Sequence, residues 1–229
     1  MSSIDSVLVA SKETPTEALT DTVKAYLNSI TDDLLASLPD ADRLTPSERR
    51  GIIGRYAAVL EGNFIYWMTG AYLAAGSEEA RSIITDNLLE EVRDSHPAML
   101  RRFVMAANAL PTEEDVLAVA PNLLEVRLFI GRLSAAPIMA MMAFFESFIQ
   151  RFMPYLEDLA RRQGSTEDEY TQVHGVCDIG HSEGLFQGLA AELALTLDSR
   201  EPAEYLYEGV HLLRSLLETT FDGRSRVAA

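Results

Sequence analysis

Over residues 16–38 the apolar positions Leu19, Val23, Tyr26, Leu27, Ile30, Leu34, Leu35 and Leu38 recur at helical spacing, so this stretch predicts an amphipathic helix. Thr45-Pro46-Ser47-Glu48 then reads as a capping box with proline at the first helical position. The helix it opens is expected to run to about Ala75, with Gly76 as its stop. Ser77-Glu78-Glu79 opens another, to about Asp94. Pro97 disfavours helical backbone at His96, which places that histidine at a kink or a fresh helix start. Leu110-Pro111-Thr112-Glu113-Glu114-Asp115 reads as a turn and a new N-cap. A short helix is expected over 121–132 and a long one over 134–162, stopped by Gly164. Ser165, Thr166, Asp168 and Glu169 cap a helix reaching about Leu197, and 202–221 forms the last. No strand, linker or repeat is visible. The pattern predicts one all-α domain over 1–229, a bundle of about seven helices with loose ends at 1–15 and 222–229.

Polar residues interrupt these apolar helices at a few places. His174, Asp178 and His181 fall at i, i+4 and i+7, within about 60° of one another on one helix face. Two imidazoles and a carboxylate facing one way suit a first-row transition metal such as iron. Glu61 is the lone carboxylate between Glu48 and Glu78, and Glu146 the lone one between Glu125 and Glu157. Both segments read as buried helices, where a carboxylate is normally paired or metal-bound. His96 adds a third imidazole. Six such groups on separate helices suit two metal ions with open positions better than one closed site.

Composition narrows the partners. With 229 residues and a formal charge of −16, the chain lacks the basic surface that nucleic acid or an anionic membrane requires. Lysine occurs only at Lys12 and Lys24. Cys177 is the single cysteine, so no disulfide framework or cysteine-based zinc site arises, and a reducing cytoplasm is the expected home. The N-terminal residues lack the pattern of a signal peptide, and no apolar run is long enough to predict a membrane span.

The ordered set Glu61, His96, Glu146 and His174-x3-Asp178-x2-His181 resembles the heme-oxygenase-like di-iron oxidases and oxygenases, over roughly 45–220. The resemblance implies a single-domain heme-oxygenase-like bundle and a catalytic, metal-binding set of those six residues. It implies two Fe(II) ions as cofactors and O2 as co-substrate, activated through a peroxide-level species. Asp86 falls where some amine-oxygenating members carry an extra carboxylate, which makes it a candidate seventh ligand. Members act on amino acids or amines, so the expected reaction is N-oxygenation or oxidative C–C cleavage of a small molecule in specialised biosynthesis, with an external electron donor as a candidate partner. Oxidative decarboxylation of a fatty acid is the alternative on the same scaffold, and a cofactor-free binding protein is another. The ferritin-like pattern fits less well, because the residue three before His96 is Arg93 rather than a carboxylate.

Other polar residues have plainer readings. Arg55, Arg127 and Arg132 are available to pair with Glu61 and Glu146, and Arg127 or Arg132 to hold a substrate carboxylate. Glu208 and His211 read as a surface pair, and Glu90-Glu91 as a solvated face. Met139, Met141, Met142 and Met153 read as core packing. Phe64, Trp67, Met68, Met142, Phe145 and Ile149 are the expected pocket walls. The acidic, leucine-rich terminal helices suggest a homodimer.

Overall fold

A computed structural model describes residues 15–196 and 203–222; the side chains at 15, 17, 176–179, 196, 203 and 204 lie outside the described set. Among the described residues there are nine helices and no strand. They are α1 (Pro15–Ala36), α2 (Pro46–Leu60), α3 (Asn63–Ala74), α4 (Glu78–Arg93), α5 (His96–Ala106), α6 (Glu113–Ile130), α7 (Ala135–Arg162), α8 (Glu169–Thr196) and α9 (Ala203–Asp222).

The bundle is built around α7. Every residue over 136–149 is buried, as expected of a helix that is apolar on all sides. α7 packs along α8 and is flanked by α9, α1, α2, α3 and α5. Met139, Met141, Met142 and Met153 are all buried in this core. A stacked aromatic row of Phe148 and Phe152 continues to Phe221 on α9.

The expected all-α bundle is present, with more helices than expected because one predicted helix is divided and a separate helix starts at His96. The stretch 46–75 breaks at Glu61-Gly62, where Gly62 sits at φ 76 and opens α3. Only glycine takes that left-handed backbone without cost, and this is the signal in the sequence that marks the break. The predicted end near Asp94 is followed by a separate α5, entered through Ser95 at φ 61, ψ 39. One helix is longer than predicted. Thr112 caps α6 with a capping box closed by Asp115, and Pro121 lies inside the helix rather than at its start. Pro121 is exposed, so water can satisfy the carbonyl it leaves without a donor. The capping box at Thr45 and Glu48 forms as expected, and Gly164 ends α7 at φ 88.

Among the described residues no helix is long and apolar enough to cross a membrane. A Cβ added at Gly62 would meet nothing within 4 Å, so its substitution isolates the backbone cost. Gly62→Ala is expected to lower stability by about 1 kcal/mol, read from the urea midpoint at unchanged slope.

Candidate metal centre

The buried face of α4 runs Ala80, Ile84, Asn87, Glu91, at i, i+4, i+7 and i+11. Its first half is apolar and its second half polar. Glu91 therefore ends in the interior, contrary to the expectation of a solvated Glu90-Glu91 face. That polar ending of a buried stripe is the signal that marks Glu91 in the sequence. On an unbroken helix Glu91 and His96 would point about 140° apart. The left-handed turn at Ser95 folds the start of α5 back onto the last turn of α4. His96 then meets Glu91 across 2.7 Å, Nδ1 to Oε1, with both side chains buried.

His174 arrives from α8. Its ring lies edge-on to His96, centroids 4.6 Å apart, and against Tyr170 at 4.2 Å. The His174 Nδ1–H donates to the Tyr170 carbonyl at 2.7 Å, which leaves the lone pair on Nε2. Glu91, His96 and His174 each offer a ligand atom, all within 4.8 Å of one another, and all three residues are buried. A carboxylate and two imidazoles, one already oriented by a backbone acceptor, are a donor set that fits iron or a similar first-row ion.

The electrostatics separate the two histidines. Burial pushes the His174 imidazole down to about 4, outweighing the upward pull of the Tyr170 carbonyl and the Glu91 charge, so His174 is neutral and able to coordinate. Burial also disfavours the charged form of His96, but the Glu91 hydrogen bond and the charges of Glu91, Asp94 and Glu90 prevail and its pKa is raised.

Of the other expected ligands, Glu146 is buried on α7 and lines the same cavity as His174. His181 is buried on α8, with Nε2 2.8 Å from Glu90 Oε2, so both carboxylates of the Glu90-Glu91 pair face a histidine. Asp178 and Cys177 have side chains outside the described set. Glu61 is not in the interior: the helix break puts it at the surface, 69% exposed, at the edge of the cavity and 3.9 Å from Arg101. Asp86 is exposed on α4, because the inward face there is taken by Ile84, Asn87 and Glu91.

The three arginines expected near the site are engaged elsewhere. Arg55 binds the Thr220 carbonyl and lies near Asp115, Arg127 binds Asn63, and Arg132 binds Glu208. Glu208 is thus held by Arg132 rather than by His211, which faces the Tyr26 hydroxyl.

The ligand cluster opens on a cavity of about 590 Å³. Leu60, Phe64, Leu100, Val104, Phe145 and Ile149 supply its apolar lining. Trp67, Met68 and Met142, also expected in the walls, sit in the core, with Trp67 packed edge-on behind Phe145.

A sequence model of the family described as iron-containing redox enzymes matches residues 55–212, a span that contains every residue of this centre. The chain belongs to that family. It lies within the heme-oxygenase-like superfamily, as the fold also indicates. No curated protein and no solved structure matches this iron-containing redox enzyme.

A depressed histidine pKa has a sign that can be tested in the metal-free enzyme. His174 stabilises the fold fully above the unfolded value of about 6.5 and loses that contribution as pH falls toward 4. The loss is on the order of 3 kcal/mol. Urea unfolding at pH 7 and pH 4 is expected to show a smaller drop for His174→Gln than for the unaltered chain, by about that amount.

Proposed function

We propose that this iron-containing redox enzyme holds two ferrous ions and uses O2 to oxidise a small amine or amino acid in the cavity beside them. The observation that carries the proposal is the buried Glu91, His96 and His174 group at the inner end of an apolar cavity. These three residues would hold one ion. Glu146 from α7, with His181 and Asp178 from α8, would hold the second. His174 and His181 share a helix face through their spacing of seven. Ferrous iron, when bound, supplies electrons for the reduction of O2.

The chain's own contributions follow from its packing. The Tyr170 carbonyl fixes the His174 ring and directs Nε2 away from the backbone. His96 coordinates only when neutral, and the Glu91 hydrogen bond and nearby acids favour its charged form, so ion uptake competes with a proton and binding weakens as pH falls. Leu60, Phe64, Leu100, Phe145 and Ile149 keep bulk water from the reacting region and accept the apolar body of a substrate. At the rim, Arg101 and Glu61 stand 3.9 Å apart, too far for a tight ion pair, and both line the cavity. One can meet a carboxylate and the other an ammonium. That combination favours a zwitterionic amino acid over the fatty acid of the alternative reading, which would leave Glu61 facing a like charge.

The test loads the enzyme anaerobically with Fe(II), counts bound iron, and then mixes it with O2 in the presence of amino acids, amines or fatty acids. About two irons per chain are expected, together with O2 consumption accelerated by one substrate class. Glu91→Ala and His174→Ala are each expected to lose at least one iron while keeping helical circular dichroism. Full iron occupancy in both variants would contradict the ligand assignment. Arg101→Ala is expected to weaken binding of the active substrate roughly tenfold, the cost of one hydrogen bond to a charged group, with iron content unchanged.

A further inference from the structure

Among the described residues, one side of α6 has no neighbour. The inner side, with Val119, Asn122, Val126, Phe129 and Ile130, is buried against the bundle, and α9 and α2 pack on this helix. The outer side carries Leu117, Pro121, Leu124 and Leu128 at i, i+4, i+7 and i+11. The three leucines are 63%, 55% and 58% exposed. With Glu113 included, these positions lie within about 80° of one another, the narrow apolar seam of a helix that pairs with another helix. Leu110, Val116 and Leu133, each close to half exposed, extend the patch at both ends. Arg127 lies over the ring of Tyr66 and continues the surface onto α3.

The pattern is its own complement under a two-fold axis. An antiparallel pairing centred between Asn122 and Leu123 sets Leu117 against the partner's Leu128, and Pro121 against the partner's Leu124. The same operation sets Glu113 against the partner's Arg132, with Glu114 beside it. α6 begins with three acidic residues, Glu113, Glu114 and Asp115, and its last turn and the two residues beyond it carry Arg127 and Arg132. Glu113 and Glu114 are exposed, and Arg132 is half-exposed even with Glu208 bound to it. A parallel pairing would set acid against acid and arginine against arginine. We propose that α6 is an isologous dimer interface for a second copy of this chain, the two helices running antiparallel.

The interface adjoins the cavity. Leu110, Pro111 and Val116, at the start of α6, line the cavity as well as border the seam. A second copy docked there covers the outer flank of the cavity wall. The position differs from the terminal helices expected from the sequence: the exposed apolar seam lies on α6, while α9 buries Val210, Leu213, Leu216 and Leu217 in the core.

Sedimentation equilibrium of the full chain at micromolar concentration tests the proposal. The expected mass is twice the 25.3 kDa of one chain. Leu124→Asp is expected to raise the dimer dissociation constant at least roughly tenfold by placing a charge in the centre of the seam, with helical circular dichroism unchanged. Orientation is read by cysteine pairing. A mixture of Leu117→Cys and Leu128→Cys chains is expected to cross-link on mild oxidation, whereas Leu117→Cys alone and the unaltered chain, which retains Cys177, are not. A monomeric unaltered chain, a dimer indifferent to Leu124→Asp, or cross-linking of Leu117→Cys with itself would each overturn the proposal.

Discussion

The centre depends on one contact, the 2.7 Å bond between Glu91 and His96, and that contact depends on a single backbone turn. Ser95 is held in the left-handed region, a conformation that costs a serine on the order of 1 kcal/mol. The turn folds α5 back on α4 and brings together a carboxylate and an imidazole that a continuous helix would hold apart. Burying the two groups separately would cost more than the turn does, because each would lose water without gaining a partner. Strain in the backbone is thus offset by pairing in the side chains, and the pair is left facing His174 across the interior.

The rest of the bundle holds that arrangement still. α7 fills the middle of the molecule with large apolar side chains and buries a single carboxylate, Glu146. α8 lies along it and carries His174 and His181 on one face. Tyr170, one turn before His174, serves twice: its carbonyl orients the imidazole and its ring packs beside it. Its hydroxyl is tied to Tyr56 on α2 at 2.7 Å, which links the His174 side of α8 to the helix that supplies Ala57 and Leu60 to the cavity. At the rim of the cavity lies the α2–α3 break, where Gly62 lets the chain turn and Glu61 stands 3.9 Å from Arg101.

Much of this was legible in the chain. Capping boxes, glycine stops and helical periodicity marked most helix boundaries, and the pattern of buried histidines and carboxylates pointed to iron and to the family that the sequence model confirms. What escaped had physical causes. Glu61 looked buried because its neighbours are apolar, but the following glycine turns the chain and leaves it at the surface. Glu91 looked solvated because it sits in an acidic run, yet it continues the buried stripe of Ala80, Ile84 and Asn87. Its closeness to His96 could not be read from spacing, since it arises from a left-handed serine with no distinctive sequence mark. Pro121 looked like a helix start because proline prefers that place, whereas an exposed helix face tolerates it in the interior.

The proposed iron site lies at Glu91, His96 and His174, at the inner end of the cavity. Anomalous diffraction at the iron edge from crystals loaded anaerobically with Fe(II) addresses it directly. A strong peak is expected at bonding distance, about 2.0–2.3 Å, from a Glu91 oxygen and a nitrogen of each histidine. Iron bound at Glu61 on the rim, or no peak beside His96 and His174, would contradict it.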